Sequence, residues 1–466
     1  MSESTVEHYD AIVIGTGQAG GPLSTALAKA GSKTAVIEQA HVGGSCINVG
    51  CTPTKTMAAS ARVAYLARRS ADYGVHVGPV TVNMVEVRQR KQKLVDEWSN
   101  GSKEGIEGTE GVDLIFGEAS FSGPHSVEVR AQDGQVRHFA AERIFINTGL
   151  RPARPPIPGL DGVPALDSTS IMELESVPER LVVLGGGYVG LEFGQMFRRF
   201  GSEVTIVEMA KQLAEREDPD VAEEIAKILR EDGIEVLLET KAQRVQAGPN
   251  GSISVTVTSS EGERTLACSH LLVATGRVPN SDRLNLRGAG IEADERGFIR
   301  VNEKLETNVP GVFALGDVHG GPAFTHISYD DWRIMRTNLI EGGNATTTGR
   351  LVPYAIFIDP QLGRIGLSET EARQQGRKFR VAKMPMAWVA RALETDEARG
   401  LIKAVVDAET GLVLGAAVLG IDGGELMAVL QLAMMGGVPY SAMQNAVFAH
   451  PTLAEALNNL FSSMED

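Results

Sequence analysis

Cysteine is scarce in this chain, with three among 466 residues. That is too few for a secreted scaffold stapled by disulfides, so a reducing, cytoplasmic setting is expected. Aromatic residues make up only 5%, and basic residues are outnumbered, 44 Lys and Arg against 59 Asp and Glu, for a net charge of -15. A chain so short of positive charge excludes nucleic acid and anionic membranes as expected partners. No apolar run approaches bilayer-spanning length, and the opening Met1–Glu7 is acidic and polar, unlike a signal peptide. Glycine, by contrast, is plentiful at 52 residues, and 43% of the chain is hydrophobic. The composition is that of an α/β enzyme, and the length calls for two to four domains.

Two of the three cysteines stand in Gly43-Gly44-Ser45-Cys46-Ile47-Asn48-Val49-Gly50-Cys51-Thr52-Pro53-Thr54-Lys55. Pro53 suits the first turn of a helix, where its missing N–H is no loss, and the apolar period Met57, Ala61, Ala64, Tyr65 continues it. Cys51 is therefore expected at or just before a helix start, where the dipole favours a thiolate. Two thiols this close can form a small disulfide ring, which thiol–disulfide exchange opens, making the pair a two-electron store. The spacing is poor for zinc, which wants four ligands, and no metal site is expected. Two packed structural thiols would also answer to the pattern, but the flanking glycines and proline favour a shaped loop. Cys268 precedes an apolar stretch and reads as a packing residue.

A second signal occurs twice. Asp10-Ala11-Ile12-Val13-Ile14 runs into Gly15-Thr16-Gly17-Gln18-Ala19-Gly20, then a helical stretch Gly21 to Ala30, then Thr34-Ala35-Val36-Ile37-Glu38. Arg180-Leu181-Val182-Val183-Leu184 runs likewise into Gly185-Gly186-Gly187-Tyr188-Val189-Gly190, a helix, and Val204-Thr205-Ile206-Val207-Glu208. First glycine to acid spans 38 − 15 = 23 positions and again 208 − 185 = 23. Such a strand–turn–helix–strand brings a pyrophosphate against a helix N-terminus and sets a carboxylate on a ribose hydroxyl. Two dinucleotides are expected, on two similar domains.

Ile144 to Gly149 and Leu271 to Arg277 each read as a strand ending in Thr-Gly, closing one dinucleotide domain at Thr148, Gly149 and at Gly276, Arg277. The Pro-rich stretch Arg151 to Pro158 reads as a linker. Met84 to Thr109 is charged and helical in pattern, a solvated helix. Val312 to Asp317 is a short buried strand ending in an acid. From Pro353 antiparallel strands are expected around Gly400 to Val406, then helices at Gly423–Met435 and Pro451–Phe461. His450 stands at the entrance of the last, with Glu455 in its first turn. A histidine held by a carboxylate is a general acid–base arrangement, while Thr452 could equally be a cap.

Assembled, these residues resemble the pyridine nucleotide–disulfide oxidoreductase family, which includes dihydrolipoamide dehydrogenase, glutathione reductase and mercuric reductase. The resemblance covers essentially the whole chain. It implies two Rossmann-like dinucleotide-binding domains, with FAD on the first glycine turn and NAD on the second, and a C-terminal α+β dimerisation domain. The expected division is 1–155 for FAD and the cysteines, 156–279 for NAD(P), 280–349 for a second FAD segment and 350–466 for the dimer interface. By the same resemblance Cys46 is the interchange thiol facing substrate and Cys51 lies against the flavin. Lys55 and Glu192 match an ion pair beside flavin N5, Asp317 the acid on the ribityl chain, and Thr325 and His326 the pyrimidine edge. The FAD site takes in Gly15, Gly17, Gly20, Glu38, Gly44, Ser45, Gly117, Thr148 and Gly149. The NAD site takes in Gly185, Gly187, Tyr188, Val189, Gly190, Glu208, Gly276 and Arg277. His450 and Glu455 match an acid–base pair that reaches the disulfide from the other subunit of a homodimer.

Departures from family members narrow the substrate. Tyr188 resembles the tyrosine that covers the nicotinamide pocket in glutathione reductase, whereas Met209 and Glu215 replace its arginines for a 2′-phosphate. Glu208 would repel that phosphate, so NADH is expected over NADPH, with Lys211 the one opposing charge. Phe324–Asp331 and Phe357–Arg364 resemble mercuric-reductase-like proteins, which end in a vicinal cysteine pair and often begin with a metal-binding domain. This chain ends Phe461-Ser462-Ser463-Met464-Glu465-Asp466, and it keeps His450, which those proteins usually lack. The expected function is transfer of electrons from NADH through FAD to Cys46–Cys51 and on to a small disulfide or dithiol substrate. Reduction of Hg(II), Cu(II) or a quinone is the alternative within the same chemistry. A non-catalytic flavoprotein subunit or redox sensor is the alternative of another class.

Overall fold

A computed structural model describes residues 6–464. The expectations placed on Met1–Thr5 and on Glu465 and Asp466 lie outside the described residues. The chain forms two compact units, one of Met1–Thr56, Arg88–Ala153 and Arg277–Arg350, the other of Met57–Val87, Arg154–Gly276 and Leu351–Asp466.

The first unit is built on the strand Val6–Ile14, whose last four residues are buried on both faces, as a central parallel strand requires. Ile12 and Ile14 turn to one side, among Phe121 and Phe139, while Ala11 and Val13 turn to the other, among Leu23, Leu27 and Phe145. The sheet runs Val112–Phe116, Thr34–Glu38, Val6–Ile14, Val136–Ile146, Ser126–Arg130, Glu118–Gly123, with Val312–Ala314 also paired to Val136–Ile146. The first four of these are parallel, so the turns that leave Ile14 and Glu38 emerge at one end of the sheet. The stretch read as a linker is in part a strand: Leu150–Pro152 pairs antiparallel with Arg277–Pro279. Proline is tolerated there because each strand is a short edge that lacks further neighbours. The helix Met84–Glu107 is less solvated than its charges implied, with Met84, Lys91, Val95 and Ile106 buried.

The second unit repeats the plan in a four-stranded parallel sheet, Glu235–Leu237, Glu203–Val207, Arg180–Leu184 and His270–Val273, with helices Tyr188–Phe200 and Pro219–Glu231. A three-stranded antiparallel sheet ends at Cys268, fully buried among Val182, Val255 and Leu271, so its packing role holds. The C-terminal part is a five-stranded antiparallel sheet, Tyr354–Ile356, Gln361–Gly366, Val413–Gly420, Leu401–Asp407 and Phe379–Pro385. Helix Gly423–Met435 forms where expected, but the last helix is Ala456–Ser462 only. Ahead of it the Thr452 hydroxyl donates to Ala449 O and accepts from the Glu455 N–H, holding a turn, so Glu455 is the N-cap position and not part of the first turn.

Inside this unit Lys403 is 3% exposed, and its ammonium meets Asp218 at 3.1 Å, Asp220 at 3.0 Å and Glu369 at 2.8 Å. A buried ammonium needs such company. Burial alone would raise the Asp218 carboxyl, but Thr370, the Glu369 N–H and Lys403 outweigh it and bring it down to about 2.

Candidate active site

Cys51 is the first residue of the 18-residue helix Cys51–Arg68, and Cys46 lies in the short helix Gly44–Asn48 just before it. The two are not joined in a disulfide, and the pair is described as a dithiol. A hydrogen bond with Cys51, together with burial, pushes the Cys46 thiol up. The Cys51 sulfur lies 3.3 Å from the Thr325 hydroxyl, at the start of helix Thr325–Leu339. His326 stacks on Phe324 in the same turn, ring centroids 5.5 Å apart. The helix start and the proximity of Thr325 place a dipole and a hydroxyl beside the Cys51 sulfur.

The loop of the thiols is stitched to the first glycine turn. Thr16 donates its hydroxyl to Glu38 Oε2 at 2.6 Å and accepts the Gly43 N–H at 3.2 Å, and Gln18 Nε2 reaches Gly43 O at 3.3 Å. Gly44 has φ +67, and a Cβ there would stand 2.6 Å from Gly17 Cα, so two glycine backbones touch. Ser45, exposed, follows in the same helix. Gly117 donates to Glu38 O at 2.9 Å and packs on Val129. Asn147 ties the turn down, accepting Gly20 N–H at 3.0 Å and donating to Leu315 O at 2.8 Å. Leu315 leads into the turn Gly316–His319, where burial raises the Asp317 carboxyl. That turn is held by Asp331, fully buried, which accepts from Gly316 N–H at 2.7 Å and meets His319 at 3.1 Å and Arg350 at 2.6 Å. Thr16, Asn147 and Asp331 were absent from the residues singled out in the sequence, although each lies inside or beside a quoted motif.

The two dinucleotide turns superpose in their details. Gly15 has φ +101 and Gly185 φ +109, and a Cβ on Gly20 or Gly190 would come within 2.0 Å of Gly15 O or Gly185 O. No other residue satisfies both conditions. Glu38 accepts the N–H of Thr16 and of Ala40; Glu208 accepts that of Gly186 and of Ala210. Beyond Gly187 a Cβ would meet nothing within 4 Å, and the same is true at Gly149 and Gly276. Val189, half-buried, follows Tyr188 in the first turn of the second helix. Arg277 reaches Leu150 O at 2.9 Å, and Thr148 Oγ1 is buried with no hydrogen-bond partner among the described residues. Narrow glycine cradles, open space beyond them and an orphaned hydroxyl fit two dinucleotides.

On the second turn Tyr188 stacks on Tyr354, centroids 5.5 Å apart, and both hydroxyls point to Glu217. Tyr188 is pushed up to about 12 by burial and by Glu217. Neither Tyr354 nor Glu217 stood out in the sequence. Glu192, 8% exposed on the same helix, accepts the Phe357 N–H at 2.9 Å, and Lys55 lies half-buried in the first turn of the Cys51 helix. His450 Nδ1 lies 2.9 and 3.0 Å from the two oxygens of Glu455, with two-thirds of the imidazole exposed, so the other ring nitrogen is available.

A dithiol at a helix start, beside one of two dinucleotide turns, defines an oxidoreductase that moves electron pairs between a nucleotide cofactor and sulfur. Comparison with known proteins gives the family: residues 9–331 match the pyridine nucleotide-disulphide oxidoreductase model and residues 352–461 its dimerisation domain, and the chain belongs to that family. It is 40% identical over 458 residues to the probable pyridine nucleotide-disulfide oxidoreductase RclA of Escherichia coli (strain K12), covering 97% of this chain and 99% of that protein. It is 35% identical over 450 residues to a mercuric reductase of Bacillus cereus, covering 96% of this chain and 70% of that one. Among solved structures, the Cu(II) complex of the HOCl-induced flavoprotein disulfide reductase RclA from Escherichia coli matches with a TM-score of 0.89 and 39% identity, over 98% of this chain and 99% of that one. The chain is thus an FAD- and pyridine-nucleotide-dependent oxidoreductase acting on sulfur, and its dimerisation domain marks it as a homodimer. No helix among the described residues is long and apolar enough to cross a membrane.

Proposed function

We propose that the chain is an NADH-dependent reductase of a small disulfide, working through Cys46 and Cys51. In this reading residues 1–155 and 280–349 hold FAD, 156–279 hold NADH and 350–466 form the dimer. The observation that carries it is the Cys46–Cys51 dithiol, with Cys51 on the first residue of its helix and 3.3 Å from Thr325. Gly15, Gly17, Gly20, Gly44, Ser45, Glu38, Gly117, Thr148, Gly149, Asp317, Thr325 and His326 would hold the flavin, with Lys55 and Glu192 beside its reactive edge. Gly185, Gly187, Tyr188, Val189, Gly190, Glu208, Gly276 and Arg277 would hold the nucleotide. Bound FAD supplies the passage of an electron pair from nicotinamide to the thiols. The Cys46 thiolate attacks one sulfur of the substrate, the S–S bond breaks, and the departing thiolate takes a proton from His450, which Glu455 orients. Cys51 then attacks Cys46, releasing the second substrate thiol and leaving a Cys46–Cys51 disulfide. Substrate is reduced by two electrons and the pair is oxidised by two, so the balance closes.

The test is turnover with NADH and a panel of low-molecular-weight disulfides for the wild type, Cys46→Ser and Cys51→Ser. Disulfide reduction is expected in the wild type and in neither variant. Reduction in either variant at the wild-type rate defeats the assignment. Support for NADH comes from Glu208, whose carboxylate sits against the second turn, and from Met209, 66% exposed where a 2′-phosphate ligand would be needed. A second reading, Cu(II) or Hg(II) reduction by the same dithiol, is favoured by the Cu(II) complex of the structural relative. Efficient reduction of either metal ion by an enzyme that reduces no disulfide selects it.

A further inference from the structure

Strand Val136–Ile146 pairs with Val6–Ile14 on one side and with Val312–Ala314 on the other, so Asn147, which follows it, stands between the ends of both neighbours. Its backbone N–H extends one ladder, donating to Ile14 O at 2.8 Å, and the Leu315 N–H extends the other, donating to Ile146 O at 2.8 Å. The side chain then spans the two ends. Asn147 Oδ1 accepts the Gly20 N–H at 3.0 Å, at the start of helix Gly20–Lys29, and Nδ2 donates to Leu315 O at 2.8 Å. An amide turned end for end would make neither bond, so the two partners fix its orientation. Glycine on both turns makes room for it: a Cβ on Gly17 would lie 2.7 Å from Oδ1, and one on Gly316 would lie 2.9 Å from Nδ2. The Leu315–Gly316 peptide is also held from its other edge, where the Gly316 N–H donates to Asp331 at 2.7 Å. With carbonyl and N–H both taken, the plane of that peptide is fixed, and with it the φ of +68 at Gly316 and the direction in which Asp317 follows. Asn147 is 7% exposed, and Leu315 and Asp331 are fully buried, so water is no ready substitute for these bonds.

We propose that Asn147 is a positioning residue that couples the two turns of the flavin site, tying the Gly15–Gly20 turn to the peptide that aims Asp317. The role rests on the reading of both turns as holding FAD. Val6–Ile14 and Val312–Ala314 do not pair with each other, so their ends are related through the middle strand and the amide that closes it. A ligand held at two points gains the second contact in full only where the protein already presents it in register. Without the amide, Gly20 N–H and Leu315 O lose their partner, and the Leu315–Gly316 peptide is released on one edge. Asp317 is then presented over a range of directions, and part of what it contributes to FAD binding is lost before Asp317 itself is changed. The effects of the two residues on FAD affinity are therefore not independent.

The experiment is a double-mutant cycle on the full-length dimer, with FAD itself as the probe. Wild type, Asn147→Ala, Asp317→Asn and the double variant are stripped of flavin, and Kd is read from the change in flavin fluorescence on titration. Each single change is expected to raise Kd about 10-fold or more, and the double change to fall at least about fivefold short of the product of the two. Thermal unfolding of the flavin-free chains is measured alongside. A merely structural Asn147 would lower the melting temperature and raise Kd by the same factor with or without Asp317, and that additive result overturns the coupling. So does an Asn147→Ala whose Kd matches the wild type. If Asp317→Asn alone leaves Kd unmoved, the flavin reading of Asp317 fails and takes the coupling with it. Should Asn147→Ala not fold, Asn147→Ser, which keeps a hydroxyl in the site, runs the same cycle with the same outcomes deciding.

Discussion

The close approach of Gly44 to Gly17 makes Gly44→Ala an informative perturbation. Two separate penalties fall on it. The first is backbone conformation, since a residue with a Cβ at φ +67 is disfavoured by about 1–2 kcal/mol. The second is contact: the new methyl would lie 2.6 Å from Gly17 Cα, against an ordinary carbon–carbon separation of roughly 3.5–4.0 Å. Relief requires about 1 Å of movement, and because the neighbour is backbone, no rotamer change can provide it. Overpacking of this kind typically costs about 1–3 kcal/mol. Gly134 supplies the comparison, with φ +85 in a hairpin turn of the same unit and nothing within 4 Å of its Cβ, so Gly134→Ala carries only the first penalty. Urea unfolding of both variants should therefore differ by about 1–3 kcal/mol, Gly44→Ala being the weaker. Gly44→Ala should also lose flavin on gel filtration, because the displaced loop drags on the turn that Thr16 and Gln18 bind to it. Equal stabilities, or full flavin retention by Gly44→Ala, would refute the claim that this contact sets the loop.

Three further outcomes are expected. His450→Gln should leave flavin reduction by NADH nearly intact but slow disulfide turnover about 10²-fold, with much less effect on any Cu(II) or Hg(II) reduction, where no leaving thiol needs a proton; a parallel fall in both activities counts against an acid–base role. Steady-state kcat/KM should favour NADH over NADPH by roughly 10- to 100-fold, and Glu208→Gln should narrow the gap; an unchanged ratio in the variant would show that the carboxylate does not discriminate. Lys403→Met should destabilise by about 3 kcal/mol at neutral pH, as thermal unfolding will show, because the buried Asp218 carboxylate then loses its ammonium, while Lys383 stays on Asp220 at 2.7 Å and Arg373 on Glu369 at 2.6 Å. The Asp218 contribution to that cluster has a defined sign. Its folded pKa of about 2 lies below the ordinary 3.8, so its stabilisation is complete above pH 4 and disappears as pH falls through 2. Melting temperature should accordingly fall less steeply across that interval in Asp218→Asn than in the wild type, Asp220, Asp331 and Asp359, which are also held down, keeping their own share.

The parts of the fold and site that were legible in the sequence are those written locally. Each glycine turn, its helix and its closing acid lie within 24 positions counted inclusively from Gly15 to Glu38 or Gly185 to Glu208, so strand period, turn chemistry and carboxylate could be read together. The cysteines and Pro53 told their own helix start in the same way. What was missed depends on distant pairing. Tyr354 meets Glu217 across 137 positions and Asn147 meets Leu315 across 168, and neither residue belongs to a period or motif that announces its partner. Prolines misled at Arg151, since Pro152 closes an edge strand that needs no further donor. The Pro451–Phe461 stretch had a helical pattern, but the Thr452 side chain took up the Ala449 carbonyl and the Glu455 N–H, and a turn won.

Lys403 also bears on how such a chain can be inherited. Its ammonium sits on a C-terminal strand, yet two of its three counter-charges, Asp218 and Asp220, arrive from the nucleotide-binding fold and the third, Glu369, from the C-terminal part. A gene fusion that replaced residues 156–279 with the corresponding piece of a relative lacking those two aspartates would leave the buried Lys403 with Glu369 as its one remaining counter-charge of the three. Recombination between such genes is therefore free only when 218–220 travels with 369 and 403, so segments that look like exchangeable modules descend as one block.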